Sequence, residues 1–331
     1  MINSTSSASE YRPKSFNDMI GQDAIVKTLN NAIKNDNIPQ ALLFCGPRGV
    51  GKTSCARILA KTINNLEDDF EYNIFELDAA SNNSVEDIRN ITEQIRIPPQ
   101  TGRYKVYIID EVHMLSNQAF NAFLKSLEEP PEHVVFILAT TEKNKILPTI
   151  LSRCQIYDFK KVDNESIIKL LSKICKEKKV KYEDGSLSLI AERSDGSIRD
   201  SLSIFDRLAS FTDSNLTISE VSSNLNVLDF NTYFKISELI NKKDIPGILN
   251  LYNEVYIKGF DDLNFLNGLS KHLRELLIYS LNSSDKLSDY KNQLSKRYLD
   301  HSKDISNDNL ISMIEIINDT LINYQKVNDK R

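Results

Sequence analysis

The sequence predicts an α/β protein with a doubly wound parallel sheet in its first half, followed by helices alone. Three observations carry this. Short apolar runs recur up to about residue 160, helical patterns separate them, and no such runs appear from about residue 161 onward.

The runs are ALLFC (41–45), NIFEL (73–77), KVYII (105–109) and VVFILA (134–139). They are continuous enough to be strands covered on both faces. TILSRCQIYDF, Thr149 to Phe159, leads into one more short apolar strand, with Arg153 at its mouth. Between strands, VEDIRNITEQI puts Ile88, Ile91 and Ile95 on one helical face, and SNQAFNAFLKSLEE does the same with Phe120, Phe123, Leu124 and Leu127. NESIIKLLSKICKEK, SLSLIAERSDG and SIRDSLSIFDRLASF form a small helical unit that ends near TDSNLT and SEVSSNLNVLD. Amphipathic helices such as DDLNFLNGLSKHLRELLIYSL and NLISMIEIINDTLINY follow. The expected domains are therefore 1–160, 161–225 and 226–331.

Composition narrows the class. With 331 residues, 40% hydrophobic and 26% charged, the chain can bury an ordinary globular core. It has no apolar run long enough to span a bilayer, and MINSTSSASEYRP lacks the apolar stretch of a secretion signal. A cytoplasmic location without membrane contact is expected. Cys45, Cys55, Cys154 and Cys175 form no CxxC pair, so they read as core thiols rather than a zinc site or a disulfide framework. Residues 1–160 carry 17 basic and 20 acidic side chains against 24 and 26 in the rest. Neither part is basic, so any nucleic-acid contact must come from a local patch.

The chemistry starts at GPRGVGKT, which fits the G-x-x-x-x-G-K-[ST] phosphate loop and lies between a strand and the helix SCARILAKTI. Gly46, Pro47, Arg48, Gly49, Val50, Gly51, Lys52, Thr53 and Ser54 make up this segment. Its backbone N–H groups would close on phosphate oxygens, Lys52 would neutralise the β and γ phosphates, and Thr53 would offer a hydroxyl to Mg2+. ATP and Mg2+ are the expected ligands. VYIIDEVHML ends a strand in Asp110 and Glu111, placing two carboxylates at the carboxyl edge of the sheet. Asp110 suits the metal and Glu111 the attacking water; His113 reads as a structural histidine. FILATTE ends in Thr140 and Thr141, where a hydroxyl could reach the γ-phosphate or the water, or where threonine could reflect strand propensity alone. In GSIRD, Ser197 and Asp200 make a capping box after Gly196. Arg199 then falls in the first turn of a helix, where the macrodipole gives its charge no reason to be.

Taken together, YRPKSFNDMIGQ, GPRGVGKTSCARILAK, FELDAASNNSVEDIR, the block from YKVYIIDEVHML to LSRC, and GSIRDSLS resemble the bacterial DNA polymerase III gamma/tau subunits, the clamp-loader ATPases of the AAA+ superfamily. The resemblance covers about two-thirds of the chain. It implies an AAA+ P-loop NTPase domain, an α-helical lid and an α-helical collar that forms a ring. It further implies sensor 1 at Thr141, sensor 2 at Arg199 and an adenine-lining segment with Tyr11, Arg12, Pro13 and Ile20. Arg153 falls at the arginine finger, which in such loaders reaches the γ-phosphate held by a neighbouring subunit. The implied partners are delta, delta-prime, further copies of the chain, the sliding clamp and primer-template DNA.

Two departures alter those implications. The family's four-cysteine zinc module is replaced by TINNLEDDFEYNIF, so zinc is not expected. Basic residues near the start of the SNNSVEDIR helix, which in the family face DNA, reduce here to Arg89, since Asn82 and Ser84 are neutral. No nucleotidyl-transfer site is present, so any link to DNA polymerase is by holoenzyme membership. The rival readings are a catalytically silent stator subunit, a Holliday-junction branch migrator and an archaeal-type loader small subunit.

Overall fold

The computed structural model describes residues 6–65, 73–99, 102–212, 214–225, 228, 230–257, 259–281 and 293–324. The centre of TINNLEDDFEYNIF, residues 66–72, lies outside them. The chain divides into two compact units, Met1–Leu216 and Thr217–Arg331.

In the first unit the elements run α1 (Ser7–Glu10), α2 (Asp23–Lys34), β1 (Ala41–Cys45), α3 (Lys52–Asn64), β2 (Ile74–Asp78), α4 (Val85–Ile95), β3 (Lys105–Asp110), α5 (Asn117–Glu128), β4 (Val134–Thr140), α6 (Pro148–Leu151) and β5 (Gln155–Asp158). After these come α7 (Asn164–Lys178), β6 (Lys181–Tyr182), α8 (Asp184–Arg193), α9 (Ile198–Phe211) and β7 (Asn215–Leu216). The main sheet is parallel throughout, in the order β2-β3-β4-β1-β5. Alternate side chains feed two cores, as period-2 geometry requires. Leu42, Phe44, Val106, Ile108, Val135 and Ile137 pack with Cys55, Leu59 and Ile63 of α3. On the other face Leu43, Tyr107, Ile109, Phe136 and Leu138 pack with Ile88, Ile91, Phe120 and Phe123 of α4 and α5. Burial on both faces explains why β1, β3 and β4 carry no polar alternation; β2, expected to be covered in the same way, lies at the sheet edge and leaves Glu76 and Asp78 exposed.

The helical faces fall as the spacing predicts, with Ile88, Ile91 and Ile95 of α4 buried; in α5 Phe120, Phe123 and Leu127 are buried and Leu124 only partly so. Two local features differ from the sequence reading. A two-stranded parallel pair, β6 with β7, occurs among the later helices, too short for a periodicity to register. At α9, Ser197 Oγ accepts from Asp200 N at 3.2 Å, a one-way cap rather than the reciprocal box that Ser84 and Asp87 form at α4.

The second unit contains α10 (Ile218–Leu225), α11 (Phe230–Asn241), α12 (Ile245–Ile257), α13 (Asp262–Leu281), α14 (Gln293–Ser302) and α15 (Asn307–Asn323). The helix Ile218–Leu225 belongs to this unit rather than to the helices before it. Phe234, Leu273, Leu276 and Leu310 centre its core. Within that core lies His272, whose Nδ1 is 3.0 Å from Tyr298 Oη and whose Nε2 is 3.3 Å from Ser237 Oγ. Burial, helped by His301 and Arg297, pushes its pKa down from 6.5 to about 4. The neutral ring is favoured in the fold, so its contribution to stability is present above the unfolded pKa and is lost as pH falls toward 4. Between pH 7 and pH 4.5 this one group is expected to cost about 2 kcal/mol. Urea unfolding of the full chain at the two pH values, wild type against His272→Asn, measures it. Equal acid losses in both proteins would refute it.

Candidate active site

Register brings the sequence motifs to one edge. Cys45 pairs with Thr140 on one side and Asp158 on the other, while Asp78 pairs with Asp110. The segments after β1, β3 and β4 therefore leave the sheet together at its carboxyl end, where ligands bind in open α/β sheets.

The phosphate loop is held from outside as well as by its own turns. Gly46 has φ +146°, and a Cβ there would stand 2.5 Å from the Phe159 carbonyl oxygen. Gly49 has φ +74°, and its Cβ would meet Ser197 Oγ at 2.0 Å. Only glycine meets both conditions. The Gly49 carbonyl accepts from Ile198 N at 3.0 Å and Arg199 N at 3.3 Å, so the first turn of α9 sits directly on the loop. Arg199 is thus held against the loop and lines the cavity beside it. Lys52 is 5% exposed and donates to the carbonyls of Gly46 and Pro47, at 2.8 Å each. Burial lowers its pKa, opposed by Glu111 and Asp110.

Thr53 Oγ1 donates to Asp110 Oδ2 at 2.7 Å, joining the first turn of α3 to the end of β3. Asp110 Oδ1 accepts from Glu111 N at 3.0 Å. Glu111 itself has φ +48° and ψ +44°, a left-handed conformation that a non-glycine residue adopts at a cost of about 1–3 kcal/mol. Its Oε2 accepts from Thr141 N at 3.2 Å and Thr141 Oγ1 at 3.0 Å.

The N-terminal segment closes the opposite side. Ser7 N donates to Asp206 Oδ2 of α9 at 2.6 Å, and the Ser7 hydroxyl donates to Asp206 Oδ1. Tyr11 Oη donates to Glu177 Oε2 of α7 at 2.8 Å; burial, and then that hydrogen bond, raises the phenol's pKa. Arg12 Nε donates to Ser54 Oγ at 3.3 Å, so this side chain lies on the first turn of α3. Its pKa is lowered by burial and by Arg57. The result is a cavity of about 340 Å³ lined by Tyr11, Arg12, Pro13, Ile20, the loop from Arg48 to Ser54, Asp110, Glu111 and Arg199. Met19, Ile198 and Leu202 line it too. Sequence reasoning did not name these, because apolar residues at helix spacing carry no mark of a ligand. The dimensions and the mixture of apolar wall with phosphate-loop residues and cations suit a nucleoside triphosphate.

The other sequence-chosen residues lie apart. Gly46, Pro47 and Thr141 do not line the cavity, although the first two accept from Lys52 and Thr141 donates to Glu111. Arg89 is exposed on α4, off the face that buries Ile88 and Ile91. Arg153 is not among the residues lining its own chain's cavity. It sits between α6 and β5, with Nη1 donating to Thr149 O at 2.7 Å and Nη2 to Glu128 Oε1 at 2.6 Å. Cys45, Cys55 and Cys175 are buried and Cys154 partly so, each with its thiol pKa raised by burial.

Known proteins share this arrangement in sequence. The family described as DNA polymerase III, delta subunit, matches residues 21–74 and 71–163. That described as DNA polymerase III clamp loader subunit, ATPase lid domain, matches residues 166–213. The DNA polymerase III gamma subunit of Buchnera aphidicola subsp. Baizongia pistaciae is 36% identical over 301 residues, 86% of this chain and 81% of that protein. The chain belongs to the DNA polymerase III gamma/tau family. The tau subunit of Bacillus subtilis is 37% identical across 93% of this chain and 58% of its own length. That of Escherichia coli is 39% identical across 77% and 42%. The chain thus spans about half the length of these tau relatives. Among solved structures, the Thermotoga maritima RuvB Holliday junction branch migration motor superposes with a TM-score of 0.54 at 22% identity, over 70% of this chain and 79% of that one. That likeness gives the fold, AAA+ with a parallel five-stranded sheet, to this gamma/tau family member.

Proposed function

We propose that this chain is an ATP hydrolase and the motor subunit of a bacterial sliding-clamp loader. In this reading it forms a ring with delta, delta-prime and further copies of itself. ATP binding orders the ring to grip and open a sliding clamp, and primer-template DNA triggers hydrolysis and release. The observation that carries the reading is the 2.7 Å Thr53–Asp110 hydrogen bond, which ties an intact phosphate loop to an intact carboxylate pair at one cavity.

Each residue then has a task. Loop N–H groups and Lys52 hold the β and γ phosphates, and Arg199, delivered by the backbone of α9, adds charge from the lid. Tyr11, Pro13 and Ile20 form the wall for the base, and Arg12 reaches the first turn of α3. Thr53 and Asp110 are a hard oxygen pair suited to Mg2+, which when bound supplies neutralisation of charge on the phosphates. Glu111 polarises the attacking water and Thr141 holds Glu111 in place. Arg153 serves the neighbouring subunit's site. Nothing in this chemistry calls for zinc. Arg89 and loop N–H groups near it are the proposed DNA contacts, and binding to primed DNA should weaken steeply with salt. The functional domains are taken as 1–160 for nucleotide, 161–225 for the lid and 226–331 for the collar, with Ile218–Leu225 counted to the lid by sequence although it groups with the second compact unit. The kinship with replication proteins supports a cytoplasmic location.

A silent stator is the alternative, and it has no need of Lys52, Thr53, Asp110 and Glu111 together. Equilibrium binding of ATP to the chain, followed by DNA-stimulated hydrolysis with reconstituted partners, separates the two. Micromolar binding and hydrolysis are expected; a chain that binds no nucleotide would leave the stator.

A further inference from the structure

His113 lies in the single 3₁₀ turn Val112–Met114 that follows Glu111, and its side chain is 6% exposed. The phosphate site described above makes no use of it. Its Nδ1 lies 3.1 Å from Thr140 Oγ1 and 3.4 Å from Glu111 Oε2, and its Nε2 lies 3.3 Å from Glu142 Oε1. Glu142 is itself anchored, its N–H donating to Thr140 Oγ1 at 3.0 Å and its carboxylate accepting from Lys145 Nζ at 2.8 Å. The ring therefore fills the space between the loop after β3 and the loop after β4, the two loops that carry Glu111 and Thr141.

The effect falls on one atom. Thr141 N, Thr141 Oγ1 and His113 Nδ1 all approach Glu111 Oε2. Two hydrogen bonds from Thr141, with His113 facing the same oxygen in the form that carries a proton on Nδ1, restrain the carboxylate and leave Oε1 for another partner. The left-handed backbone of Glu111 needs such over-determination, since an unsupported residue would relax out of it.

We propose that His113 is a positioning residue for Glu111. Wedged between Thr140 and Glu142, it holds Oε2 so that Oε1 is the oxygen left to polarise the attacking water. The inference rests on the reading of Glu111 as the residue that does so.

The test is DNA-stimulated ATPase and ATP affinity of the full chain in the reconstituted loader, with His113→Ala, His113→Asn, His113→Gln and Glu111→Gln. Asn sets its amide near the place of Nδ1, and Gln reaches toward the place of Nε2. His113→Ala should lower kcat about 10- to 100-fold, as misplacement of a reacting group by a fraction of an ångström to an ångström does. ATP affinity should stay within about twofold, because no phosphate contact is touched. His113→Asn should recover most of the loss and His113→Gln little of it. An unchanged kcat in His113→Ala overturns the inference, and so does recovery by Gln equal to or greater than that by Asn, which would show that the Nδ1 side of the ring carries no special role. Should the Ala variant fail to fold, the Asn and Gln pair decides. Glu111→Gln separates the two layers: if it hydrolyses ATP normally, the role of Glu111 falls and this inference with it. If it is inactive while His113→Ala is fully active, only the inference falls.

Discussion

Arg153→Ala is expected to bind ATP within about twofold of wild type and to lose about 10^3-fold or more of DNA-stimulated hydrolysis in the assembled ring. The first half follows from geometry, since Arg153 does not line the cavity of its own chain. The second follows if its target is the γ-phosphate on the next subunit. Its present partners do not oppose such a transfer. The ion pair with Glu128 joins side chains 34% and 48% exposed, and a pair of that kind holds by about 0–1 kcal/mol. A neighbour's triphosphate carries more charge than one carboxylate and can take the guanidinium at small cost. Glu128 also ends α5, where the helix dipole disfavours an anion, so a cation beside it is favoured until a stronger acceptor arrives. The decisive arm mixes Arg153→Ala chains with Lys52→Ala chains, which keep their finger. Partial recovery of hydrolysis in mixed rings is the signature of action in trans. Normal hydrolysis by fully assembled Arg153→Ala rings would end the trans reading.

Much of the fold was legible because each motif is also a structural necessity. The runs ALLFC, KVYII after its lysine, and VVFILA show no polar alternation, and the structure buries them on both faces. Ser84 and Asp87 announced the start of α4 through a cap that needs only three-residue spacing. Contacts between distant segments were not legible. Gly49 was read as part of the phosphate loop, yet the lid also requires it, through Ser197 and Arg199 nearly 150 residues on. The grip of Glu177 on Tyr11 joins residues 166 positions apart, and neither residue type signals the other. His113 was set aside because one histidine after a strand has no pattern, and its three partners come together only when β3 and β4 lie side by side. Arg153 shows the same limit most clearly. Spacing marked it as exposed, and the structure adds Glu128 and Thr149, but a target on another chain follows only from family likeness.

Lys52→Ala should weaken ATP binding by about 10²-fold and remove measurable hydrolysis. The ammonium is nearly buried, and its two acceptors are loop carbonyls rather than carboxylates. It is therefore held in readiness by neutral partners that phosphate oxygens can replace. A charged hydrogen bond contributes about 1.5–3 kcal/mol, and each 1.4 kcal/mol is a factor of ten in affinity. Lys52→Arg should fail nearly as badly, because a planar fork does not fit where a compact ammonium reaches two carbonyls in a packed loop. Burial also lowers the lysine's pKa, so ATP affinity should begin to fall with rising pH before the ordinary lysine value of 10.5 is reached. Titration calorimetry on wild type and both variants across neutral to alkaline pH tests all three statements. Retention of wild-type affinity by Lys52→Ala would mean that the cavity binds something other than a phosphate chain. In that case the proposed roles of Thr53, Asp110 and Glu111 would fall with it, since each depends on where that chain lies.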